Sequence, residues 1–369
     1  MTRFPEGAVL DARTVSPRFP GIGRYVLGLL KGLAPDRPAL VTSPSPDPRL
    51  PRDRMRPVAA SPFDLRQQWE VRRAIREAGG RVYHSPYYLM PLRPGVPTIL
   101  NGWDLTPLTV PGLFGPASRL AFRVAHLLAL RTAHRVIVPT RAVYEDFRRF
   151  FPHDQSKTVV IPPGADFENA VGDEEAATAR ARLGIAPRYL LYAGSNKPHK
   201  NLPVLIDAWA AALRRSPTPL ATQLVVAGPG DARFPRAASL AEVRGVGRHV
   251  RELGHVDDAM LAALYAGATL FVFPSRAEGF GLPVVEAMAR GVPVICSRVP
   301  ALLEVTAGAA ATCGADDAEA LGALIARLLE DESERERLGR AGIARASDFT
   351  WKAAARQTTE LYALASGGR

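Results

Sequence analysis

Residues 274–291, with the sequence PSRAEGFGLPVVEAMARG, carry the strongest structural signal in this chain. They follow the short apolar run ATLFVF at 268–273, which is rich in residues that favour strands. They lead into a segment whose apolar residues suit one buried face of a helix. The pattern therefore predicts a strand, a glycine-rich loop and a helix. In open α/β sheets such a junction lies at the carboxyl ends of the strands, where ligands bind.

Two glycines and two carboxylates indicate what this junction can bind. Gly279 and Gly281 allow close approach of the backbone to a ligand, and the N–H groups that open the helix can hold phosphate oxygens. Glu278 and Glu286 flank that backbone, and a carboxylate accepts hydrogen bonds from sugar hydroxyls better than it contacts a phosphate. The plainer alternative for either glutamate alone is a favourable charge near a helix N-terminus.

The pattern Glu-Gly-Phe-Gly-Leu-Pro-x-x-Glu-Ala-Met-Ala-x-Gly-x-Pro-Val resembles the signature of the family 4 glycosyltransferases, which are retaining enzymes of the two-domain GT-B fold. The resemblance implies that Glu278 lies against the donor sugar and that Glu286 binds the ribose of the nucleotide. It also implies a donor-binding loop made of Gly279, Phe280, Gly281 and Leu282.

Length and pattern predict two domains. A chain of 369 residues is too long for one small core. Strands and helices alternate throughout, which favours two doubly wound parallel sheets. The resemblance adds the GT-B architecture, with two Rossmann-like domains facing a central cleft. We predict an acceptor-binding domain at 1–178, a nucleotide-sugar donor-binding domain at 179–350, and a helix at 351–369 that returns to the first domain.

The sequence favours a cytoplasmic location. No run approaches the ~18 apolar residues of a membrane-spanning helix, and the N-terminus shows no apolar core of a signal peptide. The two cysteines, Cys296 and Cys313, form neither a disulfide framework nor a metal cluster.

The basic charge lies in the N-terminal half. Up to Ala170 there are 24 Lys and Arg against 14 Asp and Glu, and after it 23 against 22. Partners for such a surface are an anionic membrane at the inner face, nucleic acid or a phosphorylated acceptor. Residues 117–136 can form a basic amphipathic helix at a bilayer surface, or a core helix with a solvated arginine face. We expect no nucleic acid, since no zinc spacing or helix-turn-helix pattern accompanies the charge.

A second glycine loop opens the chain. Gly21 and Gly23 precede a helix predicted to run to Leu33, which can bring phosphate close to the backbone. As a dinucleotide fingerprint the loop fails, because Val26 stands where the third glycine belongs. Family 4 members often begin with a similar Asp-Ala-Arg, here 11–13, followed by Gly-Ile-Gly-Arg-Tyr. The resemblance implies that this loop faces the donor diphosphate.

The middle of the first domain supplies acceptor candidates. Residues 35–62 are rich in proline and predict a loop-heavy excursion, and residues 63–78 predict a helix. His84 and Tyr87 end a strand and can line an acceptor site, and Asp104 is grouped with them. For His84 a packed histidine among aromatic core residues is the alternative.

One position departs from the family pattern. Residues 98–107 resemble the strand end at which relatives carry His-Asp-Leu, with the histidine reaching the donor sugar, but Trp103 stands in its place. An indole has one donor and no acceptor, and it cannot shuttle a proton. Either the donor lacks the hydroxyl that the histidine contacts, as a 6-deoxy sugar or a pentose does, or activity is reduced or lost.

The second domain begins with a buried-strand pattern at 189–194. Gly194, at the end of this strand, and the Lys-Asn pair at 200–201 resemble the second phosphate-binding motif of the family. Lys200 is then predicted to neutralise the leaving diphosphate, a role that suits a compact cation. His199 stands where many relatives have arginine. The loop at Val256 is where the family receives the nucleobase, through backbone atoms.

The implied reaction is metal-independent transfer of a sugar from a nucleotide diphosphate to an acceptor hydroxyl, with retained anomeric configuration and no cofactor. The acceptor stays open, with lipid-linked and saccharide hydroxyls as candidates. Two other readings compete with it, a sugar-nucleotide epimerase of the same fold and a non-catalytic sugar-nucleotide-binding protein.

Overall fold

The computed structural model describes residues 4–110, 112–152, 155–165, 171–215 and 222–367. The chain divides into two compact units. The first contains Met1–Gly164 and Phe349–Arg369, and the second contains Ala165–Asp348. Each unit is built on one parallel sheet, as the alternation of strands and helices predicts.

The described strands of the first unit form a seven-stranded sheet in the order β3-β2-β1-β4-β5-β6-β7. All its pairings are parallel, and Val9 on the inner strand β1 pairs with Ala39 on one side and Tyr83 on the other. The order reverses at β1 and β4. The strands are β1 Ala8–Asp11, β2 Ala39–Thr42, β3 Met55–Pro57, β4 Val82–Ser85, β5 Thr98–Asn101, β6 Arg135–Val138 and β7 Thr158–Val160.

Helices cover both faces of this sheet. Side chains alternate along β1, so that Leu10 packs with α1 and α14 while Val9 packs with α2, α4 and α5. Numbered along the whole chain, the helices of this unit are α1 Pro20–Leu33, α2 Gln67–Glu77, α3 Thr106–Thr109, α4 Pro116–Thr132, α5 Arg141–Phe150 and α14 Trp351–Gly367.

The C-terminal helix belongs to the first unit because α1 is shaped to receive it. A Cβ atom added at Gly28 would lie 2.0 Å from the Trp351 ring, and one added at Gly32 would lie 2.3 Å from its carbonyl oxygen. Two glycines one turn apart thus let the backbones of α1 and α14 approach each other. Residues 368–369 of the predicted returning helix lie outside the described residues.

The second unit has a six-stranded parallel sheet in its described residues, in the order β10-β9-β8-β11-β12-β13. The order reverses at β8 and β11, so the loops that follow these two strands meet at the switch point of the sheet. The strands are β8 Arg188–Ala193, β9 Thr222–Ala227, β10 Val250–Gly254, β11 Leu270–Phe273, β12 Val294–Ser297 and β13 Ala311–Cys313.

The helices of the second unit pack partly on one another, with α12 against α7, α13 against α10 and α6 against α9. They are α6 Asp173–Leu183, α7 Leu202–Arg215, α8 Ala237–Val243, α9 Asp258–Ala266, α10 Leu282–Ala289, α11 Pro300–Thr306, α12 Ala318–Glu330 and α13 Glu332–Ala346.

The structure differs from the sequence expectations at three places. The proline-rich residues 35–62 contain β2 and β3, because strands at this side of the sheet tolerate neighbouring prolines. The helix predicted over 117–136 ends at Thr132, and β6 begins at Arg135. A domain boundary after residue 178 would cut α6, which packs on α9 of the second unit, so the observed division falls earlier in the chain.

Candidate functional site

The strongest sequence signal folds as predicted into a strand, a loop and a helix. Gly281 is the N-cap of α10 and has φ 90°, a left-handed conformation that suits glycine. A Cβ atom at this position would also lie 2.4 Å from the Leu302 side chain. Glycine is therefore required twice, by the backbone angle and by the packing of α11 against the loop.

The loop after β8 is bound to the loop after β11. Residues 198–200 form a single 3-10 turn that ends at Asn201, which is fully buried with φ 63°. The amide of Asn201 donates hydrogen bonds to the carbonyl oxygens of Pro274, at 3.2 Å, and Ala315, at 2.6 Å. The backbone N–H of Arg276 donates to the His199 carbonyl oxygen at 2.7 Å. These bonds hold the two loops in register.

This arrangement brings the two predicted catalytic residues together. Lys200 Nζ lies 2.7 Å from Glu278 Oε1, and the two side chains are 20% and 10% exposed. Lys200 Nζ also lies 5.2 Å from the centre of the Phe273 ring, at the end of β11. A lysine and a glutamate in this setting offer a ligand one cation and one acceptor at the switch point of the sheet.

Tyr192 and Gly194 lie at the end of β8, beside the loops that follow β8 and β11. The Tyr192 hydroxyl donates to the Ser195 carbonyl oxygen at 2.8 Å. Burial raises the pKa of Tyr192 well above its usual value, and the charge of Glu278 raises it further. The backbone N–H of Gly194 donates to the Ala227 carbonyl oxygen. A Cβ atom at Gly228 would meet the Gly194 carbonyl oxygen at 2.2 Å, so β8 and β9 end in close contact.

Glu286 lies on α10 and is only 4% exposed. Its Oε2 atom accepts a hydrogen bond from the hydroxyl of Tyr265, on α9, at 3.0 Å. Tyr265 is fully buried, so this bond fixes the orientation of the carboxylate. The other residues of the predicted donor-binding loop, Gly279, Phe280 and Leu282, lie between the two glutamates, and Gly279 and Phe280 are buried.

Val256 lies between β10 and α9 in the same unit. The next residue, Asp257, caps α9 by accepting a hydrogen bond from the Met260 N–H at 2.7 Å. Gly254 ends β10 with φ 70°. The backbone at Val256 is thus held by a strand end and a capped helix.

In the first unit, Gly21 and Gly23 lie in the first turn of α1, which begins at Pro20. Nothing described lies within 4 Å of a Cβ atom added at Gly21, whereas one at Gly23 would lie 3.3 Å from the Thr14 carbonyl oxygen. Gly23 therefore serves the packing of α1 on the preceding loop.

Trp103 follows β5 and is partly buried. Its indole N–H donates to the Pro86 carbonyl oxygen at 2.8 Å, and its ring lies edge-on to Tyr25 with centroids 4.9 Å apart. Because an indole has a single donor, no donor of this side chain is left for a ligand, and only ring surface can contact one.

The three acceptor candidates have different surroundings. His84 has no exposed surface, and its ring nitrogens lie 2.8 Å from the Tyr362 hydroxyl and 2.5 Å from Asn101 Oδ1. His84 is therefore the packed core histidine that the alternative interpretation predicts, and neither ring nitrogen is left to bind an acceptor. Tyr87 is partly buried beside the rings of Phe19, Phe63 and Tyr88. Asp104 is exposed and accepts a hydrogen bond at 3.1 Å from the backbone N–H of Thr106, the first residue of α3.

Within the described residues, no group of three or more His, Cys, Asp or Glu side chains is arranged to hold a metal ion. Cys296 and Cys313 are free and buried. None of the described helices combines the length and the apolar character that a bilayer crossing needs.

Sequence reasoning missed Tyr265 and included Asn201 only as part of the Lys-Asn pair, without a positioning role. Tyr265 orients Glu286, and Asn201 ties the Lys200 turn to the end of β11. Tyr265 gives no signal in the sequence, since an aromatic residue in a helix suggests only core packing. Asn201 gives a weak one, because asparagine is among the residues that tolerate a left-handed conformation.

Solved structures share this fold along the whole chain. The Anabaena protein HepE in complex with UDP-glucose superimposes with a TM-score of 0.77 at 20% identity, covering 97% of this chain and 99% of that one. With its two parallel-sheet, Rossmann-like units, the protein has the GT-B fold.

The sequence comparisons define the family. The model for glycosyl transferases group 1 matches residues 175–345, and the model for glycosyltransferase family 4 matches residues 20–169. The O-antigen chain mannosyltransferase B of Escherichia coli is 31% identical over 304 residues, which cover 81% of this chain and 77% of that protein. The chain belongs to the group 1 glycosyltransferases, with a family 4 N-terminal region.

A second relative matches over a smaller part of its length. The D-inositol 3-phosphate glycosyltransferase of Nocardia farcinica is 33% identical over 244 residues, which cover 63% of this chain and 53% of that protein. The chain thus spans about half the length of this relative.

Proposed function

We propose that this glycosyltransferase moves a sugar from a nucleoside-diphosphate donor to an acceptor hydroxyl, with retention of the anomeric configuration and without a metal ion or cofactor. The observation that carries the proposal is the 2.7 Å ion pair of Lys200 and Glu278 at the switch point of the second sheet. Support for the donor class comes from the structural relative bound to UDP-glucose.

The charges and donors of the site suit this chemistry. The bond from the anomeric carbon to the diphosphate oxygen breaks, and its electron pair leaves with the diphosphate. Lys200 and the backbone N–H groups around Gly281 stabilise that developing charge. Lys200 must leave Glu278 to do so, and Glu278 is then free to accept hydrogen bonds from the sugar. The acceptor oxygen attacks from the face that the diphosphate leaves, and its proton passes to the departing phosphate oxygen.

Glu286 has a separate role in this proposal. Held by Tyr265, its carboxylate accepts hydrogen bonds from the ribose hydroxyls of the donor. The nucleobase lies at the backbone of Val256. Trp103, in place of the family histidine, selects a donor without the corresponding hydroxyl, a 6-deoxy sugar or a pentose. The acceptor hydroxyl belongs to a saccharide or to a lipid-linked sugar.

The test begins with thermal-shift measurements on the purified chain. The panel combines uridine, guanosine and thymidine diphosphates with hexoses, 6-deoxyhexoses and pentoses. Donors that raise Tm are incubated with and without saccharide and lipid-linked acceptors, and mass spectrometry follows release of the nucleoside diphosphate. Lys200→Ala and Glu278→Ala should each reduce turnover by about a hundredfold or more, whereas Lys197→Ala, an exposed lysine of the same loop, should not.

Each competing function gives a different result. A non-catalytic protein binds a donor but releases no nucleoside diphosphate under any condition. An epimerase yields free sugar or an epimer in the absence of an acceptor. Product with the opposite anomeric configuration by NMR contradicts retention, and preference for a 6-hydroxylated hexose donor contradicts the role given to Trp103.

A further inference from the structure

The first unit contains a cavity of about 220 Å³ at the carboxyl ends of β1, β2 and β3. Its walls are the loops that follow these strands, with residues between Arg13 and Phe19 after β1, Ser43 after β2 and residues 58–63 after β3. Ligands of open α/β sheets bind at this edge of the sheet. Because the cavity is smaller than the ~300–1,000 Å³ of sites for drug-sized ligands, it fits one small molecule, such as a single sugar residue.

Buried hydrogen bonds of Arg13 fix two walls of this cavity. The Arg13 guanidinium group donates to the Asp11 carboxylate, with Nη2 2.6 Å from Oδ2, and its Nη1 atom donates to the Ala60 carbonyl oxygen at 3.0 Å. Nη2 also donates to Gln67 Oε1 at 3.2 Å, and the Gln67 amide donates to the Pro62 carbonyl oxygen at 2.7 Å. The loop after β3 is therefore held against the loop after β1, and the cavity is preformed.

Arg13 also lines the cavity and keeps one donor for a ligand. Its bonds to Asp11, Ala60 and Gln67 use every N–H of the guanidinium group except one on Nη1. Among the residues that the structure describes, none accepts a hydrogen bond from that remaining N–H. The charge of Arg13 is balanced by Asp11, since the two side chains form a buried ion pair. Arg13 can thus donate to a ligand oxygen but adds no net charge to the site.

Arg18 supplies a positive charge that is not balanced. Its side chain is exposed, and its Cζ atom lies 3.9 Å from the centre of the Phe63 ring. Within the described parts of the chain, no carboxylate forms an ion pair with Arg18, and none of the residues that line the cavity is acidic. The cavity therefore attracts an anionic ligand more strongly than a neutral one. A guanidinium group suits this role, because its paired N–H groups match the oxygens of a carboxylate or a phosphate.

The rest of the lining suits a sugar ring. Phe19 and Phe63 form an apolar wall, with ring centroids 5.9 Å apart and planes within 9° of parallel, and Phe63 is 47% exposed. Ser16, Ser43 and Ser61 bring three hydroxyl groups to the same cavity. A hydroxyl both donates and accepts hydrogen bonds, which matches the hydroxyls of a sugar. An apolar wall with a few polar groups is the usual composition of a small-molecule site.

We propose that this cavity binds an anionic sugar residue of the acceptor, a uronic acid or a sugar phosphate, whose charged group is held by Arg18. The inference rests on the proposed function, which requires an acceptor, and it names the chemical class of that acceptor. The sugar ring packs on the Phe63 side of the cavity, and its hydroxyls bind the serines and the remaining N–H of Arg13. A neutral sugar would leave the charge of Arg18 unpaired. An inorganic anion would leave the aromatic wall and the hydroxyls unused.

Isothermal titration of the full chain tests the site without a donor, using glucuronate, glucose 6-phosphate, glucose and inorganic phosphate. At least one of the two anionic sugars should bind about tenfold more tightly than both glucose and inorganic phosphate, and which one does so distinguishes a carboxylate from a phosphate. Arg18→Gln should remove this preference and leave the affinity for glucose unchanged. Ala59→Phe, at an exposed position of the cavity wall, fills the site without a change of charge and should weaken binding of every sugar.

Matched controls come from α2, outside the cavity. Arg76→Gln removes an exposed arginine, and Trp69→Ala removes an aromatic ring that is 60% exposed. Both should bind like the unchanged chain. The proposal is overturned if neither anionic sugar binds more tightly than glucose, if inorganic phosphate binds as well as they do, or if Arg18→Gln and Arg76→Gln weaken binding equally.

Turnover separates this inference from the proposed function. With a donor that the chain uses, Arg18→Gln should raise KM for an anionic acceptor about tenfold and leave KM for the donor unchanged. A rise in KM for the donor instead would assign Arg18 to the donor and overturn the inference, while the proposed reaction would stand. Failure of the proposed function has a different sign, since no donor would then release nucleoside diphosphate with any acceptor.

Discussion

Lys200 Nζ lies 2.7 Å from Glu278 Oε1, although 78 positions separate the two residues in the chain. The pair forms because β8 and β11 are neighbours at the point where the strand order of the second sheet reverses. The cation and the carboxylate satisfy each other. In the proposed reaction, a donor has to break this pair before it can use either group.

The first prediction concerns the energy of this pair. Lys200→Met leaves a carboxylate that is 10% exposed without its partner, so we expect a loss of about 1–3 kcal/mol in the free energy of unfolding. Lys200→Met with Glu278→Gln should lose less than the sum of the two single changes. Urea denaturation of the full chain and its three variants measures this coupling. Additive losses would show that the pair contributes nothing to stability.

The second prediction concerns Tyr265. Tyr265→Phe removes the hydroxyl that donates to Glu286 and leaves the ring packing unchanged. In the proposed role of Glu286, the ribose contact is made equally in the ground state and the transition state, so we expect KM for the donor to rise roughly tenfold with kcat nearly unchanged. Steady-state kinetics of donor turnover measures the split. A fall in kcat at constant KM would contradict a ribose role for Glu286.

The third prediction concerns Trp103. Trp103→His restores a side chain that can bind a sugar hydroxyl, so the ratio of kcat/KM for a hexose donor over its 6-deoxy counterpart should rise about tenfold. Trp103→Phe keeps an apolar ring and should leave that ratio unchanged. It should lower the free energy of unfolding by about 1 kcal/mol, because the Pro86 carbonyl oxygen loses its indole donor. Equal ratios in the unchanged chain and in both variants would show that Trp103 does not select the donor.

The fourth prediction concerns pH. Burial lowers the pKa of His84 to about 4, against the opposing effect of its hydrogen bond to Asn101, and burial also lowers the pKa of His126 to about 4. The unfolded chain, with histidine pKa values near 6.5, binds more protons in this range. The stabilisation of the folded state by neutral His84 and His126 is therefore complete above pH 6.5. It is lost as the pH falls towards about 4, by on the order of 3 kcal/mol per histidine.

Urea midpoints across this pH range test the assignment. His84→Gln should flatten the decline relative to the unchanged chain, whereas His255→Gln, at an exposed position, should leave it as it is. The comparison uses slopes and not absolute midpoints, because His84→Gln also disturbs the bonds to Tyr362 and Asn101. An unaltered slope in His84→Gln would contradict the buried neutral histidine.

The sequence by itself determined the class of fold and supplied the candidate residues of the site. Periodicity distinguishes strands from helices, so the strand, loop and helix predicted around residues 268–291 are present as β11, the loop that follows it and α10. The run at 274–291 contains its own loop glycines and both glutamates within one strand-loop-helix unit. Local sequence suffices there because the whole unit, from the start of β11 to the end of α10, lies within the 20 consecutive residues 270–289.

The tertiary structure decided what depends on distant contacts. That Lys200 meets Glu278, that Tyr265 holds Glu286 and that His84 is buried follow from strand order and packing, which periodicity does not encode. The same holds for α4, whose alternation of leucine and arginine fits a core helix or a surface helix equally well. The burial of a side chain depends on its neighbours in space, and the fold decides which residues those neighbours are.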